Sequence, residues 1–237
     1  MAGARQGWVE APYLETPARL DQLADGAISV GTSWADIRIL PGIAQKNADA
    51  PNVMRGEETQ LLGALSGRED ALVCMPGTHC KWVHVDAGEV RCFTTFMTGE
   101  LFDILSRHSI LRHAIDEGAG DGEAVFDAAL REGLEAAPRP LSRLFEVRAA
   151  QLLGFSDGQT GADHLSGLLI GSEIAEARAL YGTGTALSLI ASGTLAKRYE
   201  AGLRLAGFEV RTIDAEDAVR AGLFRAALRL WSGGTNE

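Results

Sequence analysis

The chain has 237 residues, of which 46% are hydrophobic and 23% charged, and its formal net charge is −10. This length can hold one large domain or two modest lobes with a substantial core. The net negative charge argues against nucleic acid as the main partner. No apolar run approaches the ~18 residues of a membrane span, so we also expect no membrane partner.

The residues before position 71 predict one short helix, two strands and a longer helix. The short helix is expected near 17–24, and the strands are expected at 27–30 and 37–40. Residues 52–65 read as a loop that leads into a helix whose apolar face carries Leu61, Leu62 and Leu65. The first 13 residues read as a glycine-rich loop with no strand before it, and we therefore expect that preceding sequence is missing.

Residues 71–95 predict a β-meander with a polar loop at one tip. The first strand ends at Pro76, and the turn that follows carries Gly77, Thr78 and, a few residues later, Lys81. Backbone N–H groups, a hydroxyl and an ammonium that converge at a strand end suit a phosphate. The alternative is an ordinary hairpin, because Pro-Gly is among the commonest turn dipeptides.

The rest of the chain predicts helices first and then two strand–helix units. Helices are expected from a cap at Thr98, at 121–136, at 141–153 and from about 162, where Gly167 and Gly171 are spaced for close packing. Strands are expected at 186–191 and 208–212, and helices after each of them. Asp214 should cap the last helix, with Val219, Leu223, Ala226, Ala227 and Leu230 on its apolar face. Such an order predicts an α/β fold.

Three cysteines lie within the meander, at positions 74, 80 and 92, without a Cys-x-x-Cys pair. An odd count of this kind favours buried thiols in a reducing cytoplasm. His79 and His84 lie in the same stretch, which raises the question of a zinc site. His79 is adjacent to Cys80, however, and the other side chains fall on alternating strand faces. We therefore expect no metal there.

A second candidate site is the turn formed by Ser192, Gly193 and Thr194. A buried strand that runs into a turn of small residues and then a helix aims backbone N–H groups and the helix dipole at an anion. A plain strand–helix connection with a hydroxyl cap is the alternative.

A third candidate site is the helix start that carries Arg55, Glu57 and Glu58. Carboxylates at a helix N-terminus are stabilised by the dipole, so a capped, solvated start is one interpretation. In the other, one carboxylate takes the proton of a substrate hydroxyl during phosphoryl transfer. Arg55 would then hold a substrate carboxylate through its bidentate fork.

Taken together, the motifs resemble those of the 2-dehydro-3-deoxygalactonokinase family over essentially the whole chain. The resemblance is carried by Arg5–Tyr13, Met54–Gln60, Pro76–Trp82 and Thr98–Phe102, with further agreement at Leu165–Gly171 and at Ser192. It implies an actin-like ATPase (ribonuclease H-like) fold of two lobes that close over ATP, Mg²⁺ and a sugar acid. The lobes would be residues 1–67 and 68–237, with the last helix packed back on the first lobe.

The resemblance also implies a reaction and residue roles. The γ-phosphoryl of ATP would pass to the 6-hydroxyl of 2-dehydro-3-deoxy-D-galactonate in galactonate catabolism. Glu57 or Glu58 would occupy the position of the catalytic carboxylate. Phosphate contacts would come from Gly77, Thr78 and Lys81, contacts near the adenosine from Ser192, Gly193 and Thr194, and sugar-acid contacts from Arg5, Gln6, Glu10 and Arg55.

One departure from the family pattern is large. The Asp-x-Gly-Thr-Thr-like loop that opens such kinases, and the strand before it, do not occur in this sequence. We therefore expect an incomplete first lobe, a weak or inactive kinase, and an exposed sheet edge that favours a homodimer. The alternative function is a non-catalytic relic that binds a nucleotide or a sugar acid. The preferred epimer of the acid is left open by these residues.

Overall fold

The structure is a computed structural model that describes residues 9, 11–65, 67, 70–115, 122–135, 140–156, 158 and 160–232. In chain order the strands and helices are β1 (Tyr13–Glu15), β2 (Ala18–Arg19), a 3-10 helix (Leu20–Gly26), β3 (Ile28–Val30), β4 (Ile37–Ile39), β5 (Gly42–Gln45), β6 (Asn52–Met54), α1 (Glu57–Ala64), β7 (Ala71–Met75), β8 (Cys80–Asp86), β9 (Glu89–Phe96), α2 (Thr98–His108), a 3-10 helix (Ile110–Ala114), α3 (Glu123–Glu135), α4 (Pro140–Leu152), α5 (Gly161–Tyr181), β10 (Leu187–Ile190), α6 (Gly193–Leu205), β11 (Val210–Ile213) and α7 (Ala215–Trp231).

A six-stranded mixed sheet organises these elements, in the order β11-β10-β7-β8-β9-β2. The strands β11, β10 and β7 are parallel, and β7, β8, β9 and β2 are antiparallel. A smaller sheet has the order β1-β5-β6, and β3 pairs with β4. The parallel strands end at the same edge, so the turn after β7 and the turn after β10 lie at one end of the sheet.

Helices cover both faces of this sheet, which explains why all five residues of β7 are buried. On one face, Leu72 and Trp82 pack with Ile174 of α5 and Leu203 of α6. Val73 and Val83 lie in the opposite cluster with Ala18, Leu20, Ile43, Met54, Leu61 and Ala218. Because this second cluster joins residues from both sides of position 67, the two segments share a core. The division into two lobes stays a prediction.

Glycines bring α5 close to α3, as the sequence predicts. A Cβ on Gly167 would lie 2.5 Å from the Phe126 carbonyl oxygen, and one on Gly171 would lie 2.4 Å from that of Leu130. These contacts leave no room for a side chain, so only glycine allows the two backbones to approach.

Three local predictions are wrong in whole or in part. The short helix predicted near 17–24 is present only from Leu20, as a 3-10 helix that runs to Gly26, because the residues before it form β2, which pairs Ala18 with Val90. Thr98 does not cap α2; it is the first residue of that helix, and its hydroxyl donates to Glu173. The Leu223 side chain is 53% exposed, because α7 packs through smaller residues instead.

The last helix begins and packs through residues that the sequence indicates only in part. Asp214 caps it as predicted, since its Oδ1 accepts from the backbone N–H groups of Glu216 (3.0 Å) and Asp217 (3.1 Å). The side that packs on α1 holds the buried residues Ala218 and Gly222. Within the described residues, no helix combines the length and apolar character that crossing a bilayer requires.

Candidate active site

The turn between β7 and β8 lies at the centre of the candidate site. Gly77 and Thr78 are exposed there, directly after the buried strand β7. The N-terminus of α2 fixes the turn: the Glu100 N–H donates to the Thr78 carbonyl oxygen at 2.9 Å. A Cβ on Gly99 would lie 2.4 Å from the Gly77 carbonyl oxygen. The turn therefore presents its free backbone groups from a position set by the first turn of a helix.

Two cavities adjoin this turn, and Gly77 and Thr78 line both of them. The smaller one, of about 540 Å³, is closed by the start of α1 and by α7; its other lining residues are Arg55, Gly56, Glu57, Thr59, Gln60, Met75, Pro76, His79, Val219 and Leu223. The larger one, of about 700 Å³, lies among α2, α5 and α6; it is also lined by Thr98, Gly99, Glu100, Phe102, Asp103, Arg107, Ser166, Leu169, Ile170, Thr194, Leu195, Arg198 and Tyr199.

Glu57 faces the smaller cavity and is paired with Lys81. The Lys81 Nζ lies 3.0 Å from the Glu57 Oε1 and 3.0 Å from the His79 carbonyl oxygen. The Glu57 Oε2 accepts from the Arg55 N–H at 2.9 Å. Lys81 itself is only 4% exposed. A buried ammonium requires such partners, and the pair fixes the carboxylate beside the turn.

Glu58 has the opposite environment, although it is the next residue. It is 2% exposed, and its two carboxylate oxygens lie 2.9 and 2.7 Å from the Gly56 N–H, which donates to them. Burial raises the pKa of this carboxyl to about 7, against opposing effects of the backbone donors. The Glu58 side chain is therefore buried beneath the first turn of α1, whereas the Glu57 side chain reaches the cavity.

Arg55 brings a cation to the smaller cavity. Its guanidinium lies over the Tyr13 ring, 4.3 Å from the centroid, and its Nη2 donates to the Ala11 carbonyl oxygen at 2.8 Å. Its Nη1 is buried and has no hydrogen-bond partner among the residues that the structure describes. An unused donor on a fixed guanidinium is suited to a ligand oxygen.

The turn after β10 reaches the larger cavity through Thr194 only. Ser192 donates from its Oγ to the Asp214 Oδ2 at 2.7 Å and accepts from the Ala215 N–H at 3.1 Å. Its side chain therefore ties α6 to the start of α7. Gly193 has a φ of +64°, a backbone conformation that favours glycine.

Sequence reasoning missed most of the walls of the larger cavity. Arg198 is held there by an ion pair with Asp163 and by a 3.1 Å hydrogen bond to the Ser166 Oγ, and its guanidinium lies 4.6 Å from the Phe126 ring centroid. These side chains come from separate helices with only helical spacing as a signal. The predicted residues Arg5, Gln6 and Glu10 lie outside the described residues.

One group of potential metal ligands is present in the described part of the chain, formed by Cys74, Cys80 and Glu173. The two Sγ atoms are 3.8 Å apart. Burial raises the pKa of both thiols, which opposes the thiolate form that a metal needs. Both Glu173 oxygens already accept hydrogen bonds. We therefore interpret this group as a hydrogen-bonded cluster.

Comparisons with known proteins agree with these features. The family model described as 2-keto-3-deoxy-galactonokinase matches residues 1–226. A protein of Rhizobium meliloti (strain 1021), named a probable 2-dehydro-3-deoxygalactonokinase, is 49% identical over 98% of this chain and 77% of its own length. The 2-dehydro-3-deoxygalactonokinase of Escherichia coli (strain K12) is 40% identical over 94% of this chain and 75% of its own length.

A solved structure from Sinorhizobium meliloti, provisionally described as a 2-dehydro-3-deoxygalactonokinase, has a TM-score of 0.92 and 48% identity. The match covers 100% of the present chain and 78% of the chain in the solved structure. The matches in sequence and in structure cover both cavities and the turn between them. The chain belongs to the 2-keto-3-deoxy-galactonokinase family, a family of carbohydrate kinases.

Proposed function

We propose that this protein transfers the γ-phosphoryl group of ATP to the 6-hydroxyl of 2-dehydro-3-deoxy-D-galactonate, on an actin-like fold of two lobes. The observation that carries the proposal is the pair of cavities on either side of Gly77 and Thr78. Two substrates can occupy them at the same time, with the transferred group at the turn between them.

The smaller cavity suits the sugar acid. Arg55 offers its unused Nη1 to the acid's carboxylate, and Glu57 is positioned to accept the proton of the attacking hydroxyl. Glu57 is a better candidate than Glu58 because Glu58 is buried beneath the start of α1. Arg5, Gln6 and Glu10 remain proposed contacts to the acid.

The turn and the larger cavity suit ATP. The backbone N–H groups at Gly77 and Thr78 would hold phosphate oxygens, with the Lys81 ammonium beneath the turn as the neighbouring positive charge. Thr194 would lie beside the adenosine, where Gly193 allows a close backbone approach, and Ser192 would fix this turn through Asp214.

Magnesium fits this arrangement, since it is usually held by one or two carboxylates together with substrate phosphates. Glu100 offers a carboxylate on the side of the larger cavity, where the phosphates of ATP are proposed to lie. Magnesium bound there would neutralise phosphate charge, while the chain's own residues orient the two substrates.

The three free cysteines in the described part of the chain are consistent with a reducing cytoplasm as its setting.

The test is a coupled assay of ADP formation from ATP, Mg²⁺ and 2-dehydro-3-deoxy-D-galactonate, with phosphorus–proton coupling to identify the 6-phosphate. It should be run on the 237-residue chain, with the epimeric acid 2-dehydro-3-deoxy-D-gluconate as the matched control substrate. Binding of the galactonate-derived acid without turnover would instead favour the non-catalytic relic.

A further inference from the structure

A buried carboxylate lies beneath the larger cavity. Glu173 is in the middle of α5 and only 3% exposed. Its Oε1 accepts from the Trp82 Nε1 at 2.8 Å, and its Oε2 accepts from the Tyr199 hydroxyl at 2.7 Å and from the Thr98 hydroxyl. In the described part of the chain, no lysine, arginine or histidine forms an ion pair with it.

Two of these donors, Thr98 and Tyr199, lie on different helices that line the cavity. Thr98 is the first residue of α2. The N-terminus of this helix holds the turn between β7 and β8 (the phosphate turn) through the hydrogen bond from the Glu100 N–H to the Thr78 carbonyl oxygen. Tyr199 belongs to α6, the helix that begins at the Gly193–Thr194 turn. Both hydroxyl-bearing side chains line the cavity, while Glu173 lies behind them. One carboxylate therefore joins the two walls that a nucleotide would contact.

This arrangement costs stability. Removing a carboxylate from water is unfavourable, and a well-packed apolar side chain of similar volume would avoid the penalty. Burial raises the pKa of Glu173, and the hydrogen bonds from Cys80, Thr98, Trp82 and Tyr199 oppose that rise. The Glu173 carboxylate is therefore held by hydrogen bonds of specific geometry, and the shape of the cavity depends on these bonds.

We propose that Glu173 is a positioning residue for nucleotide binding, which holds Thr98 and Tyr199, and through them the phosphate turn and the start of α6, at the separation that ATP requires. The inference rests on the proposed function only in taking ATP as the ligand of the larger cavity.

The first test compares Glu173→Gln with Glu176→Gln. Glu176 lies on the same helix but is exposed, so its variant is the matched control. Binding of ATP is measured by calorimetry without the sugar acid, and KM and kcat are measured separately. We expect ATP binding and the KM for ATP to weaken about tenfold in Glu173→Gln, the effect of one hydrogen bond to a charged group, with a smaller change in kcat. Unchanged ATP binding alongside a lower Tm would overturn the proposal, because the residue would then be merely structural.

A second pair of variants guards against a folding failure of Glu173→Gln. Thr98→Val removes one donor with little change in shape and should weaken ATP binding to a similar extent, and Thr98→Ser should recover most of the loss. Combined with Glu173→Gln, the Thr98→Val change should add little, because both act on one contact. Fully additive losses would overturn the proposal.

The outcomes separate this inference from the proposed function. A wild-type chain that binds ATP but does not phosphorylate the sugar acid would refute the proposed function and leave the Glu173 experiment valid. A wild-type chain that binds no ATP would overturn the Glu173 proposal, since the larger cavity would then not be a nucleotide site.

Discussion

Adjacent glutamates at the start of α1 differ in almost every physical respect. Glu57 reaches a cavity and is paired with Lys81, whereas Glu58 is buried and its carboxyl has a pKa of about 7. The difference follows from helix geometry, since consecutive side chains project about 100° apart around the axis. One of the pair can therefore serve a ligand while the other is part of the core.

Glu58 should make the folded protein less stable as the pH rises. Its pKa is raised from 4.5 in the unfolded chain to about 7 in the folded one, so the folded state holds its proton more tightly. The penalty is absent below about pH 4.5, grows between 4.5 and 7, and reaches roughly 3 kcal/mol above that range. Glu58→Gln should remove it.

The measurement is the free energy of unfolding of wild type and Glu58→Gln from pH 4.5 to 8, by denaturant titration. The difference between the two isolates Glu58, because every other titrating group is common to both chains. The variant should become progressively the more stable of the two as the pH rises. A constant difference across the range would mean that Glu58 titrates normally.

Glu57→Gln should affect chemistry more than binding. The amide keeps the shape of the side chain but cannot accept the proton of the substrate hydroxyl, and loss of a general base costs typically 10²–10⁴-fold in kcat. Affinity for ATP should change by only a few fold. Glu58→Gln is the matched control. If Glu58→Gln lost turnover and Glu57→Gln kept it, the roles of the two residues would be reversed. Equal and mild losses of kcat in both variants would mean that the two carboxylates only cap the helix.

At the scale of elements, the site depends on how α1 is held. The buried residues of α7, which packs on α1, are all small. Arg225 of α7 also donates at 2.5 Å to the carbonyl oxygens of Leu62 and Leu65 at the end of α1. Because Glu57 begins α1, the packing of α7 sets the position of the proposed base.

Gly222→Ala should therefore lower stability and activity together. A Cβ at this position would lie 1.9 Å from the Thr59 carbonyl oxygen, so α7 or α1 must move. We expect a loss of about 1–3 kcal/mol in the free energy of unfolding, the usual cost of overpacking, and a lower kcat. Gly184→Ala is the control, because a Cβ there meets no described atom within 4 Å. Equal stability of the two variants would contradict this account of the interface.

The sequence predicts elements well where their cause is local. The β-meander, the Asp214 cap and the close approach at Gly167 follow from short patterns and are confirmed. The helix predicted near 17–24 begins only at Leu20, because Ala18 pairs with Val90 at the edge of β9, 72 residues later in the chain. The prediction that Thr98 caps α2 is wrong because the Thr98 hydroxyl instead donates a hydrogen bond to the carboxylate of Glu173, 75 residues away.

The same distinction holds within the site. Gly77, Thr78, Arg55 and Glu57 stand in recognisable motifs, and the structure brings them around one cavity. Arg198, Tyr199 and Glu173 lie on helices where an apolar or charged residue is ordinary, and their role depends on contacts between elements. No local pattern could have indicated them, since helix packing alone brings them together.

At the scale of the whole molecule, the turn is a shared wall between two proposed ligand sites. Gly77 and Thr78 line both cavities, and the turn is fixed from the side of the larger one by α2. A ligand that orders the turn from one side should therefore ease binding from the other, because the second ligand has less left to order. Coupling of this kind is reciprocal.

Thermal unfolding can test that coupling in the 237-residue chain. At 100 times its dissociation constant, either a non-hydrolysable ATP analogue with Mg²⁺ or the sugar acid alone should stabilise the fold by about 2.7 kcal/mol, a rise of several degrees in Tm. Together they should stabilise it by more than the sum. A purely additive rise would mean that the two cavities act independently. No response to either ligand would mean that this chain does not form the proposed sites. A response to both without turnover would favour the non-catalytic alternative, because the two binding sites would be formed without phosphoryl transfer.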